Sequence, residues 1–212
     1  MWRDSRRSFI VSTRFPGFRG EYLWEFDIAE RQLLRLAEAF PAERYGWRTA
    51  ETARSVSEVL VHVAAGNRAL LAIVGVEAAA ELYGNLQGEG VARILAMART
   101  NESLEKSITD KADVLAFLRG SLDALRTAFG EASDSELVRL EVFFGERTTV
   151  RRVYMRAVCH MHEHMGQLIA YARAMGMPTP WHEESQARRK ALENELAASK
   201  NERTTNIDVK SH

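Results

Sequence analysis

The sequence predicts an all-α protein, a four-helix bundle with a short polar helical extension at its C-terminal end. Three observations carry this expectation. Four long segments repeat apolar residues at three- and four-residue steps, the period of an amphipathic helix. Those segments are bounded by residues that start and stop helices. No two stretches alternate apolar and polar residues convincingly enough to form a strand pair, so the helices must bury their stripes against one another.

Residues 1–20 form a basic arm interrupted by glycine and proline. From Glu21 to Phe40, the residues Phe26, Ala29, Leu33, Leu36 and Phe40 line one helical face. Pro41 and Gly46 mark the connection that follows. The second helix starts near Ser55, where Ser55 and Glu58 make a capping-box pattern, and runs to about Val74. Its stripe reads Val59, His62, Gly66, Ala69 and Ile73.

The stretch Gly75 to Gly90 reads as loop with room for one helical turn, and Val91 to Arg99 as a short helix. The third long helix follows Thr109 and Asp110, either of which can cap it. Val114, Leu118, Ser121, Leu125 and Phe129 lie along one side of it. The fourth runs from about Thr148 to Met175 and ends at Gly176 and Pro178. Beyond Trp181 the chain is helix-prone with little apolar face, then polar. The expected organisation is therefore an arm (1–20), a bundle (21–181) and a polar helical or disordered tail (182–212).

With 212 residues, 46% of them hydrophobic, one domain can bury an ample core. The 29 basic and 29 acidic residues cancel and are interleaved, which argues against nucleic acid or an anionic membrane as partner. Cys159 is the single cysteine, so no disulfide can form within the chain, as suits a reducing compartment. No apolar run approaches the roughly 18 residues of a membrane span. Ser5 to Ile10, "SRRSFI", imitates a twin-arginine signal but lacks an apolar segment behind it. A cytoplasmic protein is expected.

The chemistry concentrates in "CHMHEHMGQ", Cys159 to Gln167. On a helix, His160 and His164 are one turn and about 40° apart, whereas His162 lies about 160° from each. The stripe Val150, Val153, Ala157, His160, His164, Leu168 and Tyr171 is helical, so two histidines are expected to point inward. His62 on the second helix makes a third, with Gly66 leaving room one turn on. A neutral imidazole needs partners for both its donor and its acceptor, and a divalent metal satisfies three rings at once.

Other metal patterns fail. A zincin motif would begin at His162-Glu163 but meets glycine at Gly166, and a di-iron bundle needs inward glutamates that neither stripe supplies. Three imidazoles without a clear inward carboxylate leave a position open, the form of a catalytic site. Gln167 is a candidate to orient an imidazole or a water. Glu163 serves as a base only if the fourth helix turns it toward the cavity. Cys159 reads as a small buried hydrophobe, His162 as a surface or dimer contact, and Glu30 as solvated. Asn67, Trp47 and Tyr22 either line a substrate mouth or simply pack.

The segments "WRTAETARSVSEVLVHVAAGN" (Trp47 to Asn67) and "CHMHEHMGQLIAYARAMGMPTPW" (Cys159 to Trp181) resemble the DinB family of damage-inducible-type bacterial proteins. The resemblance spans roughly residues 18–181. It implies a bundle in up-down-down-up order, a homodimer, and a metal centre whose ligands match His62, His160 and His164. Relatives of this kind include thiol-dependent S-transferases and a maleylpyruvate isomerase using bacillithiol, mycothiol or glutathione. The chain beyond Trp181 is too short for the isomerase's additional domain.

Two functions compete at this point. One is a metal-dependent enzyme acting on a small-molecule substrate, a thiol S-transferase or a hydrolase, with zinc or nickel and a low-molecular-weight thiol as cofactors. The other is a non-catalytic metal-binding stress-response protein acting as a dimer. Nucleic-acid binding finds no basic face.

Overall fold

The computed structural model describes residues 17–76, 81–83 and 90–208, so most of the expected basic arm lies outside the described residues. In chain order they form α1 (Gly17–Ala39), a 3-10 turn (Ala42–Arg44), α2 (Val56–Ile73), a second 3-10 turn (Glu81–Tyr83), α3 (Gly90–Ser107) and α4 (Lys111–Glu131). Then come α5 (Asp134–Val138), β1 (Leu140–Phe143), β2 (Glu146–Thr149), α6 (Val150–Ala174) and α7 (His182–Asp208). The chain divides into two compact units, Met1–Tyr171 and Ala172–His212. The first holds the helical bundle. The second holds the last turn of α6 and the polar α7.

The stripe expected on α1 is the buried one: Phe26, Ala29, Leu33, Leu36 and Phe40 are all sealed from solvent. On α4 the buried residues are Val114, Leu118, Ser121, Leu122, Leu125 and Phe129. Asp110 caps α4 by accepting from the Ala112 amide at 2.8 Å. Tyr22 of α1, Phe129 of α4 and Tyr154 of α6 join in one aromatic cluster, with ring centroids 3.9 to 6.0 Å apart. Such contacts add to the plain burial of the three rings. Gly176, at φ +71°, ends α6 with its neighbour Met177 donating back to the Ala172 carbonyl.

Helix α2 is central. It packs against both α3 and α4. Its capping box forms as expected: Ser55 Oγ accepts from the Glu58 amide, and the Glu58 carboxylate accepts from the Ser55 amide at 2.7 Å. Long and apolar enough to cross a membrane by length and composition alone, α2 has 67% of its length buried inside the protein, as a core helix does.

Four expectations are corrected. The short helix at Val91–Arg99 is an 18-residue helix that continues through the polar run "TNESLEKS" to Ser107. A strand pair exists: β1 and β2 form an antiparallel hairpin, Leu140 opposite Thr149 and Phe143 opposite Glu146. Its two-residue turn is Phe144-Gly145, both at positive φ (52° and 83°), the conformation that matches the twist of paired strands. Cys159 is exposed instead of buried. Glu30 is not freely solvated, because it pairs with Arg126 of α4.

Candidate metal centre

The stripe Val59, His62, Gly66, Ala69, Ile73 does not all face the core. Helix α2 is buried nearly all round, and His62, Gly66, Ala69 and Ile73 form its least buried strip. That strip lines a cavity of about 240 Å³ closed on other sides by α3, the hairpin and α6. On α6 the core residues are Val153, Ala157, Met161, Met165 and Leu168. His160 and His164 sit on the flank of that stripe, half-buried, turned toward α2.

The three rings meet there, with centroids 4.6 to 4.9 Å apart. One nitrogen from each of His62, His160 and His164 lies within 4.8 Å of the others, an arrangement able to hold a metal ion. Gly66 permits it. A Cβ at that position would lie 2.7 Å from His160 Cε1, so only glycine lets the α6 ring come so near α2.

Hydrogen bonding decides where the protons reside. Glu105 of α3 places Oε1 2.8 Å from His62 Nδ1 and Oε2 2.7 Å from Arg54 Nε. Burial works to raise the Glu105 carboxyl, but its bonds to His62 and Arg54 hold it below the usual carboxylate range. An ionised carboxylate only accepts, so His62 donates to it from Nδ1 and turns Nε2 toward His160.

A second chain does the same for His164. Tyr171 donates to the Arg54 carbonyl at 2.9 Å and accepts from Gln167 Nε2 at 2.8 Å. The Gln167 Oε1 is thereby aimed at His164 Nδ1, 2.9 Å away. The proton of His164 again sits on Nδ1 and leaves Nε2 bare.

His160 completes the set. Its Nε2 lies 3.1 Å from His62 Nε2, and its buried Nδ1 has no hydrogen-bond partner. Burial, then the neighbouring His164 and His62, push its pKa down to about 3, so the ring is neutral in ordinary buffer. Burial likewise lowers that of His164, against the opposing bond from Gln167. The contact between the two Nε2 atoms is a hydrogen bond when one proton lies between the rings, and a cation in that proton's place would draw a lone pair from each. A nitrogen separation near 3 Å suits two ligands that each stand roughly 2 Å from one ion. The donor set fits a divalent metal.

Other sequence candidates fall elsewhere. Glu163 faces away as the outer partner of Arg156, both of its oxygens 2.7 Å from the guanidinium, so it is no base for this cavity. His162 stands 2.9 Å from Glu25 of α1, an ion-pair distance outside hydrogen-bonding geometry. Tyr22 and Asn67 are buried in the bundle, while Trp47 packs edge-on against Tyr171.

Glu105 of α3 supplies the inward carboxylate that the stripes of α2 and α6 lack, and apolar patterning of the sequence does not single it out. A signal existed. Ile94, Met97, Asn101 and Glu105 continue one helical face at three- and four-residue steps, but the face turns polar where the apolar pattern stops.

The DinB family profile matches residues 13–201. The chain belongs to the DinB family. No functionally curated protein matches it. Among solved structures it is similar to a DinB-like protein from Bacillus cereus ATCC 10987, at 17% identity and TM-score 0.55, covering 75% of this chain and 93% of that one. It is also similar to an uncharacterised protein from Escherichia coli UTI89, at 16% identity and TM-score 0.56, covering 79% and 99%. At such identities the likeness is one of fold. This DinB chain therefore shares the helical bundle of its neighbours and carries a three-histidine cluster able to bind a metal.

Proposed function

We propose that this DinB protein is a metal-dependent enzyme that adds a small thiol, or water, to a small electrophilic substrate at His62, His160 and His164. The observation that carries the reading is the histidine cluster, two of whose members, His62 and His160, line a mostly apolar cavity, with Glu105 and Gln167 bonded to the Nδ1 atoms of His62 and His164. Zinc or nickel suits three imidazoles. Such a metal supplies Lewis acidity, which makes a thiol or water nucleophilic at neutral pH.

The chain's own residues do the rest. Glu105 and Gln167 keep the Nδ1 protons in place and orient two rings. Ile73, Ile94, Met97 and Phe144 line the cavity with apolar surface for the body of the substrate. At about 240 Å³ the space lies below the roughly 300–1,000 Å³ typical of drug-sized ligands, so the electrophile is small. The same reading takes the partner to be a small molecule, the thiol to be a low-molecular-weight one, and the assembly to be the homodimer implied by the family resemblance.

The test is elemental analysis of protein purified without an affinity tag, beside a His160→Ala variant, followed by thiol-transfer assays with glutathione. Near-stoichiometric zinc or nickel, lost in the variant, and thiol consumption that depends on it are expected. No metal in either protein would remove the chemistry on which the reading depends. Metal without turnover would favour the non-catalytic alternative.

A further inference from the structure

Arg156 lies one helical turn before His160 on α6, and both line the same cavity. Histidines apart, it is the single ionisable side chain among the described lining residues, and no carboxylate joins it. The remaining walls are mainly apolar. An arginine on the lining of a mainly apolar cavity is favoured by a negative partner there.

Glu163 meets it only in part. It holds the guanidinium end-on through Nη1 and Nη2, and it is itself 53% exposed and outside the cavity lining. A guanidinium has five N–H donors, and Glu163 engages two. Three remain, on a side chain that is 32% exposed. Glu163 thus steadies the fork from the solvent side without using up its capacity for a planar oxyanion.

We propose that Arg156 is a specificity-determining residue that selects substrates with an apolar body and one carboxylate-like anionic group. The body lies against Ile73, Ile94, Met97 and Phe144, and the anion is drawn to the guanidinium beside His160. This rests on the reading of the cavity as the substrate site and deepens it by naming a substrate class.

The test is calorimetric titration of the full chain with 3-phenylpropanoate and with its uncharged counterpart 3-phenylpropanamide. Each titration is run on metal-loaded protein and on protein stripped by a chelator, which separates attraction to Arg156 from attraction to a metal. The anion is expected to bind about tenfold more tightly than the amide in both preparations, as a charge-assisted contact allows. Arg156→Gln should abolish that preference, chiefly by weakening binding of the anion. Glu163→Gln should strengthen anion binding, because it removes the competing carboxylate.

Equal binding of the two probes, no saturable binding of either, or an undiminished preference in Arg156→Gln would overturn the proposal. A preference retained by a protein that never holds metal would sink the proposed function and leave this inference standing. Bound metal without any anion preference would do the reverse.

Discussion

Gly66 and Glu105 act on the site through the histidines they touch, and each invites a substitution whose effects separate. Gly66→Ala adds a methyl group that would sit 2.7 Å from His160 Cε1. Alanine in a helix interior is favoured over glycine by about 0.5–1 kcal/mol, so the fold should not suffer. The expected outcome is a melting temperature equal to or above that of the parent when both are stripped of metal, and metal affinity reduced at least about tenfold, as displacement of a ligand ring demands. Unchanged affinity in a chelator competition would show that the ring does not need that close approach. Glu105→Gln keeps an acceptor for His62 Nδ1 but loses the charge that pairs with Arg54. Metal affinity measured in the same competition should fall by about 10–100-fold, the range for a lost partner of a ligand.

At the scale of elements, the start of α2 is held by more than its capping box. The buried Glu58 also receives Lys106 of α3 at 2.6 Å and Arg48 at 3.4 Å, so the two helices are tied beside the site. Burial works to raise the Glu58 carboxyl, but Lys106, the Ser55 amide and Arg48 together hold it below its ordinary 4.5. A group with a depressed folded-state pKa stabilises the protein above the unfolded value and loses that contribution as pH falls through the folded one. Urea midpoints should therefore decline below about pH 4.5, and Glu58→Gln, which can still cap α2, should flatten that decline. At neutral pH the variant should lose on the order of 0.5 kcal/mol, because Lys106 is largely in solvent. An identical acid limb in parent and variant would assign the decline to other carboxylates.

For the whole molecule, a metal held by His62 of α2 and by His160 and His164 of α6, as proposed above, would join helices remote in sequence. Such a ligand would bind the folded chain and add about 2.7 kcal/mol when present at a hundredfold its dissociation constant. A chelator should lower the melting temperature of the parent and leave that of His160→Ala unmoved; equal shifts in both would point to a metal held elsewhere. The sequence by itself determined the helical class, the buried stripes of α1 and α4, the Ser55 cap and the pairing of His160 with His164 on one face. These are local matters, set by periodicity and by neighbours three or four residues away. Tertiary structure decided the rest. It turned the histidine strip of α2 toward a cavity instead of the core, because α2 is surrounded by helices on its other sides. It brought Glu105 to His62 across 43 positions, and that encounter depends on a polar helix end which no apolar pattern announces. It also bent "FFGE" into a hairpin whose turn brings Phe144 to the cavity wall. Periodicity reports which residues share a face, but what that face meets depends on the packing of chains distant in sequence.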